Sequence, residues 1–132
     1  MVVSGLYIAL HGLLMIALSI GVIKLRRKHL IGIGDGDNEV LARAIRAHAN
    51  FTEYVPISLI MIAALDFNGA SALTIHILGA ALFVSRALHA MALRGSSGKS
   101  NGRVFGMMGT FVVIIASSVM LMMQFSSWVM AG

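Results

Sequence analysis

The sequence contains no cysteine and only one proline. A chain without cysteine has no disulfide framework, no thiolate metal site and no cysteine nucleophile. Turn-forming clusters are also few, so we expect most of the 132 residues to lie in long regular elements.

Charged residues are scarce as well. They make up 11% of the chain, whereas soluble domains carry about 25%. Hydrophobic residues reach 58% and the mean hydropathy is +0.91. These values exclude a water-soluble globule and predict a single integral membrane domain over residues 1–132. The net charge of +5 does not indicate a nucleic-acid partner, because the basic residues cluster at the ends of apolar segments.

Four segments are long enough to cross a bilayer, whose core of about 30 Å requires roughly 20 apolar residues in a helix. We predict an all-α bundle of four transmembrane helices over residues of about 3–28, 39–65, 70–94 and 104–129. Pro56 falls inside the second helix. Membrane helices tolerate proline, so we expect a kink or local unwinding there and not a helix end.

The basic residues also predict the orientation. They flank the first and third connections, whereas the turn at Asp66–Gly69 and the two termini have none: Lys24, Arg26, Arg27, Lys28, Arg94, Lys99 and Arg103. Under the positive-inside rule, both connections face the cytoplasm and both termini face outward. The absence of a targeting signal and the short chain favour a bacterial inner membrane.

The second predicted helix carries polar residues at membrane depth. At about 100° per residue, Arg46, Asn50, Glu53 and Tyr54 share one face, near that of Arg43. His48 points away from this face. Ionisable residues within a span are costly and mark functional sites by default.

The third helix adds Arg86 and His89, which lie three residues apart and hence on one face. A rise of about 1.5 Å per residue puts them at the depth of the second-helix cluster. One interpretation is that Glu53 pairs with Arg46 or Arg86 and only joins the helices. That leaves an excess of cations, and arginine binds carboxylates bidentately, so we expect a cavity on the cytoplasmic side for an anionic ligand.

The string RAHANFTEYVP, Arg46 to Pro56, resembles the second-helix motif of the MAPEG family, the membrane-associated proteins of eicosanoid and glutathione metabolism. That motif is an arginine, an asparagine four residues on and a glutamate three further, often followed by tyrosine. The segment SRALHA, with Arg86 and His89, is similar to the family's second polar stretch, and Arg26 matches a third position.

The resemblance implies a homotrimer that binds glutathione at each subunit interface, open to the cytoplasm. It implies contacts to glutathione from Arg46, Asn50, Glu53, Tyr54 and His89 of one subunit. Arg26 and His48 would reach it from the neighbour. The expected activity is a detoxifying glutathione S-transferase or peroxidase, whose activated thiolate attacks a lipophilic electrophile or hydroperoxide arriving from the membrane lipid.

Two positions depart from the eicosanoid-forming relatives. Leu93 stands where they carry a tyrosine four residues after the position of His89, which argues against eicosanoid synthesis and favours a bacterial-type member. Those relatives hold the thiolate with an arginine at the start of the fourth helix. Arg103 is the first candidate for that role here and Lys99 the second.

Other residues have structural interpretations. We expect His11 and His76, outside the cluster, to bond a backbone carbonyl or a neighbouring helix. Gly106 and Gly109 predict a close helix approach. No metal site is predicted.

Two other functions remain open. A membrane scaffold could keep the pocket without chemistry, and only turnover would distinguish it from an enzyme. The second of these alternatives is a small four-span transporter for cations or drugs. Such a transporter typically needs an acidic residue in its first span. This first span has none.

We therefore predict that vesicles containing the protein show no proton-coupled uptake of a hydrophobic cation, because the polar cluster is net positive. Fluorescent-cation uptake under an imposed proton gradient, compared with protein-free vesicles, measures this. Uptake above that control would favour the transporter.

Overall fold

The computed structural model describes residues 2–95 and 100–131. It consists of four α-helices: α1 (Val2–His29), α2 (Glu39–Phe67), α3 (Ala72–Gly95) and α4 (Asn101–Ala131). The predicted all-α four-helix membrane bundle is confirmed. The largest difference in helix bounds is at α4, which begins at Asn101 and not near residue 104. Arg103 is consequently part of the first turn of α4 and not of a loop.

Local side chains explain where the helices begin and end. The Asn38 side chain accepts a hydrogen bond from the Leu41 backbone N–H at 3.0 Å, which starts α2. Ser71 does the same for α3 through the Thr74 N–H at 3.2 Å. Beyond the end of α2, Gly69 adopts a left-handed φ of 85°, which few other residues tolerate. α2 extends through Pro56 as one helix, so the local unwinding expected there is not found.

The order of packing places α2 and α3 at the centre of the bundle. α1 packs on α2 and α3, and α4 packs on the same two helices, whereas α1 and α4 do not meet within residues 2–95 and 100–131. Side chains on α2 and α3 are therefore the most enclosed, and the predicted polar residues lie mainly on these two helices.

The surface of the bundle is apolar and its interior contains polar side chains, which is the opposite of a soluble protein. Large apolar side chains cover the surface of every helix, while Arg86 and several small polar side chains, such as Ser58, Thr110 and Ser117, are enclosed between helices. α1, α3 and α4 are each long and apolar enough to cross a membrane by length and composition. α2 carries charged residues in its first half, as a helix that lines a polar site would.

The larger of two apolar core clusters lies away from the polar residues. One end of the bundle, the basic end, holds the basic last turn of α1 and Arg103 at the start of α4. The larger cluster lies in the opposite half and contains Ile62, Leu65, Ile75, Leu78, Leu82 and Val113. A smaller cluster of Leu18, Phe51, Val55 and Ala90 packs beside the polar side chains.

α4 approaches α3 closely because two of its residues are glycines. A Cβ atom at Gly106 would lie 2.7 Å from the Ser85 carbonyl oxygen and 2.7 Å from the His89 Cβ. One at Gly109 would lie 2.2 Å from the Ser85 Oγ. Association of helices in lipid depends on packing of this kind, and the close approach predicted for these glycines is confirmed.

We predict that Gly106→Ala lowers the free energy of unfolding by about 1–3 kcal/mol, since the new methyl group forces two backbones apart. Thermal unfolding in detergent, followed by circular dichroism, measures the change. Gly12→Ala is the matched control, because nothing lies within 4 Å of its added Cβ. Equal stability of the two variants would contradict the tight α3–α4 contact.

Candidate functional site

The side chain at the centre of the polar cluster is Arg86, which is 1% exposed. Its guanidinium donates hydrogen bonds to the Asn50 Oδ1 on α2 and, at 3.3 Å, to the Thr110 Oγ1 on α4. A weaker contact of 3.6 Å reaches the Met107 sulfur. The guanidinium also lies 6.0 Å from the centroid of the Tyr54 ring, within range of a cation–π interaction. Arg86 thereby ties α2, α3 and α4 together.

All of these partners of Arg86 are neutral. No carboxylate lies within salt-bridge distance of it among the residues that the structure describes, and its Nε atom is enclosed without a partner. Glu53 is near enough to act on it electrostatically but not to form a salt bridge. Buried charges are normally paired. The positive charge of Arg86 therefore has no compensating negative charge in contact with it among the described residues.

Arg46 and Glu53 form a salt bridge of 3.2 Å with each other. Their side chains are 61% and 45% exposed in the single chain, so the expectation that both are buried is wrong for one protomer. Asn50 and Tyr54 turn toward α3 and α4, whereas Arg46 and Glu53 lie on the flank of α2 that no helix of the same chain covers. Glu53 does pair with Arg46, but both residues belong to α2, so this salt bridge does not join two helices as that interpretation supposed.

Arg43 is also paired. It lies 3.5 Å from Glu39, one turn earlier in α2, and so does not add to the charge excess of the cluster. Among the described residues, the excess comes instead from Arg86 on α3.

His89 lies beside Arg86, with its Nδ1 3.4 Å from the Arg86 guanidinium. Arg46, Arg86 and Arg103 all lie close enough to act electrostatically on its ring. His89 and Arg103 line a cavity of about 380 Å³ at the basic end, together with Ser100, Val104, Met107, Met108 and Phe111. The structure therefore brings the predicted second-helix, third-helix and fourth-helix residues to one region. Lys99 lies outside the described residues.

Arg26 and His48 are not part of this region. They line a separate cavity of about 290 Å³ between α1 and α2, where the His48 Nε2 lies 3.0 Å from the Ser19 hydroxyl. Arg26 donates hydrogen bonds to the carbonyl oxygens of Gly32 and Gly34 and so fastens the first connection. As predicted from the helical spacing, His48 points away from the main polar face.

The remaining predicted histidines have structural partners. The His11 Nδ1 lies 2.7 Å from the carbonyl oxygen of Tyr7, and the His76 Nδ1 lies 2.9 Å from the Tyr7 hydroxyl. These contacts confirm the prediction that His11 and His76 bond a backbone carbonyl or a neighbouring helix.

Thr110 was not predicted from the sequence. Its side chain is fully buried, and its hydroxyl oxygen accepts a hydrogen bond from the Arg86 guanidinium. Its hydroxyl donates to the Gly106 carbonyl at 2.8 Å, which leaves its lone pairs directed at the guanidinium. A threonine in an apolar helix gives little sign of such a role. The one available signal was its spacing of four residues from Gly106, where α4 meets α3.

With this geometry described, comparison with known proteins identifies the family. The MAPEG family model matches residues 4–123, which include the whole Arg86 cluster and all four helices. The chain belongs to the MAPEG family. The bundle of four membrane helices is the fold of that family.

Two relatives that share one name are similar to part of the chain. The inner membrane protein YecN of Escherichia coli strain K12 is 38% identical to this chain over 87 residues, which is 66% of either protein. The YecN protein of E. coli O6:H1 matches equally. The chain thus matches just under two thirds of the length of these relatives. No solved structure matches it.

We predict that Thr110→Val, which keeps the shape but removes the hydroxyl, lowers the free energy of unfolding by about 1–3 kcal/mol because a buried charged donor loses its acceptor. Ser117→Ala is the matched control on α4, since the Ser117 hydroxyl is fully buried without a partner. Its removal should leave stability unchanged or raise it. Chemical denaturation in detergent compares the two, and an equal loss in both would show that Thr110 does not hold Arg86.

Proposed function

We propose that the protein binds glutathione within the membrane and activates its thiol to attack lipophilic electrophiles or hydroperoxides, as a glutathione S-transferase or peroxidase. The observation that carries the proposal is the enclosed Arg86, whose partners among the described residues are all neutral, close to the paired Arg46 and Glu53. Membership of the MAPEG family supports the same ligand class.

The charges of this region complement glutathione, which carries two carboxylates and one ammonium group. Arg46 supplies a planar fork that can bind a carboxylate through two hydrogen bonds, and Arg86 adds a positive charge whose own partners are neutral. Glu53 supplies the single anion for the ammonium group, and its salt bridge with Arg46 is exposed and therefore easily exchanged. Asn50 and Tyr54 lie between these charges and orient the peptide.

A homotrimer would complete the site. In one protomer Arg46 and Glu53 are open on the flank of α2, a position that is unfavourable against lipid. The cavity that holds Arg26 and His48 lies on a different part of the same surface, beside α1. We propose that a second copy covers the α2 flank with its α1–α2 cavity, so that Arg26 and His48 of one subunit reach glutathione bound to its neighbour.

Arg103 is proposed to hold the thiolate. A free thiol has a pKa of about 8.5, and a neighbouring cation lowers that value and raises the fraction of the nucleophilic form. Arg103 lines the cavity beside His89, where apolar side chains exclude water. Lys99 remains the second candidate for this role.

The proposed location in the cell rests on the name of a relative and on the position of the basic residues. The relative YecN is named an inner membrane protein, which supports a bacterial inner membrane for this chain. The basic end of the bundle is proposed to face the cytoplasm, where glutathione is made, with both termini on the outer side.

One observation favours a second candidate, a membrane protein that binds glutathione without chemistry. Leu93, in the position where the eicosanoid-forming relatives have tyrosine, is buried and apolar. Calorimetric titration of glutathione into the detergent-purified protein, with turnover of a chlorodinitrobenzene-type electrophile in the same sample, separates the two. Binding with turnover supports the enzyme, binding without turnover supports the scaffold, and no binding contradicts both.

We predict that Arg46→Ala and Glu53→Ala each weaken glutathione binding about 10-fold or more, because a charged hydrogen bond contributes about 1.5–3 kcal/mol. Assembly should persist, because each variant removes only one side chain from the proposed interface. Calorimetry measures the affinity, and size-exclusion chromatography with light scattering measures the assembly.

Arg27→Ala is the control for loss of a positive charge, as Arg27 is exposed at the end of α1. Parental affinity in both cluster variants, or an equal loss in the Arg27 variant, would show that the site is placed wrongly. A monomer in the parent protein would refute the proposed trimer separately.

A further inference from the structure

One arginine at the end of α3 reaches across to α1. Arg94, in the last turn of α3, lies with its guanidinium against the backbone of Gly21 on α1. A Cβ atom at Gly21 would overlap the Arg94 Nη2 and would lie 3.0 Å from the guanidinium carbon. The glycine therefore leaves the space in which this cation lies between the two helices.

Two lysines extend the positive charge along α1. Lys24 follows Gly21 by three residues and Lys28 follows Lys24 by four, and residues at these intervals are neighbours on one face of a helix. Both lysines and Arg94 are exposed. Within residues 2–95 and 100–131, no carboxylate lies within salt-bridge distance of these three cations, which we call the basic triad. The triad is therefore available to an external anion.

The surface that continues from the basic triad toward the other end of the bundle is apolar. Ile20 precedes Lys24 by four residues and Leu13 precedes Ile20 by seven, so both lie on the face of Lys24. On α3, Met91 precedes Arg94 by three residues. The exposed fractions of Leu13, Ile20 and Met91 are 70%, 44% and 61%. A ligand with an anionic end at the triad could lay a long apolar chain along this surface.

The basic triad lies on a different side of α1 from the proposed subunit interface. Lys24 and Lys28 are each two residues from Arg26, which at about 100° per residue puts them roughly 160° around the helix from it. Arg26 lines the cavity between α1 and α2 that belongs to the proposed interface. A second copy that covers this cavity would therefore leave the triad to the surrounding lipid.

An anionic phospholipid has the chemistry that matches this surface. Its phosphate lies at the level where membrane helices end, and phosphate oxygens accept charge-assisted hydrogen bonds from lysine and arginine. Basic pockets between membrane helices bind such head groups. Its acyl chains match the apolar side chains beside the triad, whereas a soluble anion would match the charges alone.

We propose that the basic triad and the adjoining α1–α3 surface bind an anionic phospholipid, with the head-group phosphate between Arg94 and the two lysines. The bound lipid joins the basic ends of α1 and α3. This site shares no residue with the proposed glutathione site and does not depend on glutathione.

Titration of lipid into the detergent-purified protein, followed by native mass spectrometry, measures the site. Phosphatidylglycerol is compared with phosphatidylethanolamine of the same acyl chains, and we expect the parent to bind phosphatidylglycerol at least 10-fold more tightly. Arg94→Gln should weaken its binding about 5-fold, as expected for loss of one cation near a membrane surface. Arg26→Gln is the matched control, since it removes one charge from the same end of α1 on the opposite side.

A variant that keeps every charge tests the geometry. Gly21→Ala places a methyl group where the Arg94 guanidinium lies, so it should weaken phosphatidylglycerol binding as Arg94→Gln does. Gly12→Ala, whose added Cβ meets nothing within 4 Å, should bind the lipid as the parent does.

Three results would each overturn the proposal: equal affinity of the parent for the two lipids, an equal loss in the Arg26 and Arg94 variants, or parental affinity in Gly21→Ala. Displacement of bound phosphatidylglycerol by millimolar inorganic phosphate would assign the triad to a soluble anion and also refute the lipid site. If Arg94→Gln does not fold, the two lipids on the parent and the Gly21 variant still decide. No glutathione is present in these samples, so failure here leaves the proposed function standing.

Discussion

The enclosed guanidinium of Arg86 is the interaction on which the rest of the structure depends. A cation in the interior of a membrane bundle must be solvated by the protein, and here Asn50 from α2 and Thr110 from α4 provide that solvation. The same contacts set the spacing of three helices. Because these partners are neutral, the charge remains uncompensated among residues 2–95 and 100–131. The same group therefore joins three helices and forms the centre of the proposed anion site.

The close approach of α4 to α3 makes this arrangement possible. Gly106 and Gly109 let the two backbones meet, which brings Thr110 within reach of Arg86 and holds His89 at the edge of the adjoining cavity. The close packing of α3 and α4 therefore also sets the geometry of the polar site. The larger apolar cluster lies in the opposite half of the bundle, and only the smaller one packs beside the polar side chains.

The polar residues divide between an enclosed set and an open set. Asn50, Arg86 and His89 are buried within one chain, whereas Arg46 and Glu53 lie on its flank. An open ion pair at membrane depth is what a subunit interface would cover. The proposed glutathione site depends on the proposed trimer, and separate experiments test the two.

The sequence by itself determined the membrane class, the four helices and the polar face of α2, since composition and helical spacing depend only on the order of residues. It also placed His48 away from that face. Tertiary structure decided which polar residues are enclosed, because burial depends on which flank of α2 the other helices cover, and it corrected the expected burial of Arg46 and Glu53. Only packing could reveal Thr110 as a partner of Arg86, since its role arises from a distance between helices that no spacing along the chain encodes.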